Sequence, residues 1–243
     1  MSVLVHTEGI VLKTQKYGET SLISQVLTRD LGLQSLIMGG VTTGNSKKGM
    51  FQLMNQLDLV IYYQDQKSMH RIKEVKYATI YQSLPFEIHR SAVGIFMLEL
   101  IRKSLRNSEL DHQLYDWIKR CLDQCDEPAL RLNYMPVYFL IGLTRFLGFC
   151  PLNNFEKGKS VFDLREGCFV DYAPFHRDYL DQDLAQNLAL VIENENYLQL
   201  LHTVIPASIR KQLMYSLLDY YKIHLDHFTG LDSPHILEEI LAA

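Results

Sequence analysis

The sequence of 243 residues lacks any apolar run that could span a membrane. The longest, Tyr134 to Leu143, falls well short of the roughly 20 residues required and contains Pro136, so it reads as a buried helix. A secretory signal is also missing, because only Val3 to Val5 precede His6 and Glu8, with no basic start or apolar stretch. A cytoplasmic protein is the expectation. Cysteine is scarce: Cys121, Cys125, Cys150 and Cys168 do not make the disulfide framework of a small secreted domain, and reduced thiols are expected. No Gly-x-Ser-x-Gly, Walker loop, His-Glu-x-x-His or dinucleotide fingerprint occurs, which leaves an enzyme, a cofactor or a small-molecule substrate without a motif to support it. Positive charge is in deficit too. The formal net charge of −4 excludes a uniformly basic nucleic-acid binder.

The deficit is uneven. Residues 1–82 carry nine Lys/Arg against six Asp/Glu, and residues 83–243 carry fifteen against twenty-two. In the first stretch, apolar runs at Ile10 to Leu12, Leu22 to Leu27 and Leu33 to Met38 are separated by Tyr17-Gly-Glu-Thr20 and Thr28-Arg-Asp-Leu-Gly32, a β-meander by pattern. Val41 to Gly49 is polar and glycine-bearing, and reads as an exposed loop with Lys47 and Lys48 at its tip. Leu57, Leu59, Ile61 and Tyr63 alternate with their neighbours as in a half-buried strand, and Met69 to Tyr81 supplies a fifth strand rich in β-branched and aromatic residues. Five strands in about 80 residues without a confident long helix fit a small barrel of the OB-fold kind.

From Ser83-Leu-Pro85 the periodicity turns helical. Ile88, Ala92, Ile95, Phe96 and Leu105 mark one helix, Asp111 is placed to cap a second, and Pro128 to Phe149 is apolar nearly all round, as in the middle of a helical domain. Residues 150–179 are irregular and suggest an extended insertion or hairpin, held by Phe155, Phe162 and Phe169. Helical spacing returns from Leu184 to Ile192, from Ser208 to Leu225, and briefly from Ile236 to Leu241. The fold class expected is α+β, with an OB-fold domain over 1–82 and a helical domain over 83–243.

The residue types present bear on three kinds of site. For a metal, Cys150 and Cys168 have Asn153 and Asp171 three positions on, so the ligand set for zinc is incomplete even with His176, and no metal is expected. For catalysis, Glu166, Asp171, His176, Asp178, Asp181 and Asp183 form an acidic stretch that solvation and helix capping explain without chemistry. For nucleic acid, cations and aromatics both occur in the barrel segment: Lys13, Lys16, Arg29, Lys47 and Lys48, with Arg71 and Lys73 expected on one side of the fifth strand together with Tyr77.

Tyr17-Gly-Glu19, Leu22-Ile23, Leu27-Thr28, Gly32 and Gly39 resemble the opening strands of the bacterial DNA repair protein family RecO. Glu127-Pro-Ala-Leu-Arg131 leading to Leu147-Gly-Phe149, and Tyr220-Tyr-Lys-Ile-His-Leu225, are also similar to that family. The resemblance implies a non-enzymatic recombination mediator, associated with the nucleoid, that binds single- and double-stranded DNA and anneals complementary strands. It implies two partners, RecR and the acidic C-terminal tail of single-strand DNA-binding protein (SSB), the latter received near Arg131, with RecA loaded onto SSB-coated DNA. Three departures reduce charge or metal: Met38 stands where relatives have a lysine, Leu231-Asp-Ser-Pro234 replaces a more basic segment, and the zinc-knuckle cysteines are mostly gone. An alternative is a protein-interaction scaffold of the same fold that has lost DNA binding.

Overall fold

The computed structural model describes residues 2–39, 45–105, 111–156, 158 and 160–242, and the side chains of all of these except 45–47, 241 and 242. Residues 41–44 of the loop expected over Val41 to Gly49 lie outside the described residues. The chain forms two compact units, Met1–Pro128 and Ala129–Ala243.

In the first unit, β1 (Val3–Tyr17), β2 (Ser21–Thr28), β3 (Gly32–Met38), β4 (Gln56–Tyr63) and β5 (His70–Thr79) close a barrel in the order β1-β2-β3-β5-β4. Every neighbouring pair is antiparallel except β3 with β5. The long first strand makes closure possible, because its first half pairs with β4 and its second with β2. At the changeover Gly9 lies so close to both neighbours that a Cβ there would meet Val26 Cγ1 at 2.6 Å and Leu59 Cδ1 at 3.0 Å. Gly18 and Gly32 turn the meander with φ of 61° and 66°, the left-handed region that glycine reaches without steric cost. Val11, Val26, Leu36, Leu57, Leu59, Ile61 and Ile72 fill the interior. This is the five-stranded OB-fold barrel that the alternation predicted.

Asn45–Met50 forms a short helix, α1, where a loop was expected. Phe51 after it is buried in the barrel core and Met50 packs against that core, so tertiary burial organises a segment with no apolar period of its own.

Two helices complete the unit: α2 (Ile88–Ser104) and α3 (His112–Asp126). Asp111 caps α3 by accepting from the backbone N–H of Gln113 and Leu114. At the other end of α3, Asp126 accepts from the N–H groups of Gln82, Ser83 and Leu84 at 2.7–3.1 Å, fixing the turn between β5 and α2. Burial, the largest single influence, pushes this carboxyl up, but the N–H groups of Leu84, Ser83 and Gln82 and the charge of Arg90 together hold it below its ordinary value. Its contribution is therefore full above the unfolded carboxylate value of about 3.9, and is lost as pH falls through the lower folded value. Asp126→Asn is expected to cost about 1–2 kcal/mol at pH 7, a gap that narrows as pH falls below the unfolded carboxylate value of about 3.9 when denaturant unfolding is followed against pH.

In the second unit α4 (Met135–Leu147) packs against α5 (Gln182–Glu193) and α7 (Ala207–His224), with α6 (Tyr197–Leu200) and α8 (Ser233–Ala242) completing the helices. The expected helix from Pro128 is shorter than its apolar pattern. Pro136 has no N–H for the carbonyl of Leu132, so regular pairing begins only after it, and Gly148 ends the helix at φ 83°. The insertion is a small sheet of β6 (Val161–Asp163), β7 (Cys168–Val170) and β8 (Tyr179–Leu180), in the order β7-β6-β8. Phe169 packs edge-on against both Phe155 and Phe162, at 5.2 and 4.9 Å between centroids. Among the described residues no helix is long and apolar enough to cross a membrane.

Candidate nucleic-acid interface

The barrel's outward surface is set by register. Partners across a sheet point to the same side, so Leu36 opposite His70 and Ile61 opposite Ile72 face the interior, while Ile37 opposite Arg71 and Tyr62 opposite Arg71 face out. These outward residues border an open groove of about 710 Å³, also lined by Gln64, Lys67, Met69 and Lys73. Three cations, Lys67, Arg71 and Lys73, thus converge with one exposed aromatic ring, Tyr62. Arg71 makes no ion pair with a described residue, and Lys73 Nζ lies 3.5 Å from the exposed carboxylate of Glu74. A solvated pair of that kind is worth little and yields readily to a phosphate.

The β4–β5 turn that carries this edge is held from beneath. His70 is buried, its ring packs at a tilt against Tyr63 with centroids 4.6 Å apart, and Nδ1 accepts from the N–H of Gln64 at 3.4 Å. Burial, then the charge of Lys67, lowers its pKa, so the ring is neutral at pH 7 with the proton on Nε2.

The other residues singled out in the sequence are dispersed. Lys13 is opposite Gln25 on the outward side of β1 and exposed. Lys16 stands opposite Leu22 near the exposed end of the β1–β2 hairpin. Lys48 is exposed on α1, and the side chain of Lys47 lies outside the described residues. Arg29, in the β2–β3 turn, is engaged by Asp116 of α3 through two bonds of 3.0 and 3.1 Å, and its guanidinium holds that carboxyl below the usual range. Tyr77 does not share the side of Arg71 and Lys73. A bulge at Lys73 shifts the phase of β5, so Tyr77 pairs opposite Leu57 and its hydroxyl lies by Gly49 of α1. Of the residues lining this groove, Arg71 and Lys73 are named from the sequence, whereas Tyr62, Ile37, Lys67 and Met69 were missed; the polar stretch Gln64 to Ser68 between the fourth and fifth strands is the signal that could have placed Lys67 in an exposed turn here.

A second concavity, of about 310 Å³, lies in the second unit between the start of α4, α7 and α8. Pro136, Val137, Met214 and Leu237 give it an apolar floor, and Asn133, Arg210 and Lys211 stand at its edge. Asn133 Oδ1 is buried without a hydrogen-bond partner among the described residues. Arg131 belongs to the turn before α4, not to a helix; its backbone carbonyl accepts from the Tyr197 hydroxyl and its side chain is exposed. Lys211 pairs with Glu238, and Arg210 stacks over Tyr134 at 5.0 Å.

The acidic stretch of the insertion is engaged structurally. Asp163 faces His176 at 3.3 Å and accepts from the N–H groups of Arg165 and Glu166, Asp178 pairs with Arg165, and Asp181 caps α5. Cys150 is exposed and Cys168 half-buried, and the described residues gather no group of three or more His, Cys, Asp or Glu placed to hold a metal ion.

Comparison with known proteins gives two family matches, described as Recombination protein O N terminal over residues 1–81 and Recombination protein O C terminal over residues 85–156. Along its length the chain is 30% identical to the DNA repair protein RecO of Christiangramia forsetii, covering 98% of this chain and 99% of that one. It is 28% identical to the protein of the same name from Phocaeicola vulgatus (99% and 100% covered) and to that from Bacteroides fragilis (98% and 99%).

Proposed function

Because the chain belongs to the RecO family of DNA repair proteins, we propose that it acts as a non-enzymatic recombination mediator that binds single- and double-stranded DNA, anneals complementary strands and, with RecR, helps load RecA onto SSB-coated DNA. The observation that carries the DNA contact is the convergence of Lys67, Arg71 and Lys73 on one open groove of an otherwise acidic protein. Annealing asks for little chemistry. Neutralised phosphates let two strands approach, and base pairing supplies the driving force. The carboxylates of the insertion that hold a fold together or cap a helix are consistent with a protein that catalyses no bond change.

Lys13 and Lys16 extend the cationic track along β1, with Lys47 and Lys48 as further phosphate contacts, and Arg29 serves mainly to tie the β2–β3 turn to α3. The groove at α4, α7 and α8 suits the SSB tail: Val137, Met214 and Leu237 take an apolar end, while Arg210 and Lys211 at its edge meet its carboxylates. Arg131, exposed in the segment before α4, is a further cation for the same tail.

Complementary oligonucleotides carrying a fluorophore and quencher test the main step. Annealing should be accelerated by the protein at low salt, and faster on SSB-coated strands with an intact tail than with a tailless SSB. No acceleration on either substrate would remove the mediator reading. Equal rates with and without the tail would remove the groove's role. RecA filament formation on SSB-coated DNA that is indifferent to this protein and RecR would remove the loading step.

A further inference from the structure

The groove holds more than charge. Around Arg71 the outward residues are apolar or aromatic: Tyr62 on β4, Ile37 on β3, and Met69 at the entry to β5. The same cross-strand row continues round the barrel to Leu4 on one side and Ile23 on the other. Tyr62 is 41% exposed, Leu4 50% and Met69 37%. Phosphate contact alone does not explain this row, since duplex DNA presents phosphates and leaves its base faces stacked inside. A row of flat and apolar surface flanked by cations matches a strand whose bases are unstacked.

We infer that Tyr62, with Arg71 and Ile37 beside it, is a stacking platform for bases, so that this face prefers single-stranded nucleic acid to duplex. The inference rests on the reading of the groove as a DNA site and deepens it. The ring of Tyr62 takes one base face-on. The planar guanidinium of Arg71, directly opposite on β5, reaches the phosphate next to that base. Three adjacent strands at about 4.8 Å spacing make the central part of the row roughly 10 Å wide. Lys67 and Lys73 border the same groove and neutralise the backbone.

The test uses the full chain and fluorescence anisotropy with three probes of equal length: a mixed-sequence single strand, its duplex, and an abasic strand with the same charge. Tyr62→Ala should weaken single-strand binding about 5- to 100-fold without changing its salt slope, leave duplex binding within about twofold, and leave the abasic strand unaffected. Tyr62→Phe, which keeps the ring, should bind as the parent does. The abasic comparison needs no variant: the parent protein should bind that strand more weakly than the normal one by a similar factor. Equal affinity of the parent for abasic and normal strands, or equal loss of single-strand and duplex binding in Tyr62→Ala, would overturn the platform. If Tyr62→Ala matches the parent while Arg71→Gln weakens both DNA forms, the DNA site stands and the platform falls. If the parent binds none of the probes, the site itself falls.

Discussion

Replacing Arg71 and Lys73 together by glutamine should lower affinity for single-stranded DNA about 25-fold at 0.1 M salt and reduce the log–log salt slope by about 1.4. The figures follow from counterion release, which gives about 0.7 in slope, and hence about fivefold at that salt concentration, for each phosphate contact on a single strand. Both cations line the groove, and neither is held by a buried partner. Duplex binding should weaken as well, because the contact is with phosphate and not with base. Arg29→Gln is the informative contrast. Its guanidinium is already committed to Asp116 by two hydrogen bonds, so the loss should appear in thermal unfolding and leave DNA affinity within about twofold.

The largest effect on stability is expected at Arg90. This buried side chain donates to Glu87 Oε2 at 2.7 Å, to the carbonyl of Cys125 at 2.8 Å and to that of Pro128 at 2.7 Å, joining the start of α2 to the end of α3. The two carbonyls lie at and just beyond the C-terminus of α3, where intrahelical donors have run out. Arg90→Ala leaves them without this donor and removes a cation that helps hold Asp126 ionised, a loss of about 2–4 kcal/mol. The unfolding transition of the unit Met1–Pro128 should drop by roughly 10 °C. Arg90→Lys should recover little of it, because one ammonium cannot span acceptors that the guanidinium fork meets in three directions.

How much of this was legible in the sequence depended on how local the determinants were. The meander showed because Gly18 and Gly32 take up positive φ between runs whose alternation matches burial, and β4 showed for the same reason. Asp111 announced the start of α3 through its own side chain. By contrast, α1 has no apolar period and is organised by neighbouring residues that enter the barrel core, and the start of α4 was overestimated because apolar residues continue on both sides of Pro136. The groove was the least legible feature. It depends on a parallel pairing of Ile37 with Arg71 that only barrel closure creates, and on a bulge at Lys73 that breaks the period of two and separates Tyr77 from its expected neighbours. Arg29 looked like any exposed cation in its turn, since Asp116 is 87 positions away.

One titration tests the central claim most directly: anisotropy of a labelled single-stranded oligonucleotide against the unmodified protein at several salt concentrations, repeated with Arg71→Gln/Lys73→Gln. Micromolar or tighter binding at low salt that falls steeply with added salt, with a slope reduced by about 1.4 in the double variant, is the result predicted. Absence of binding by the parent at low salt, or binding whose strength and slope are the same in the double variant, would contradict the assignment of the barrel groove as the DNA site.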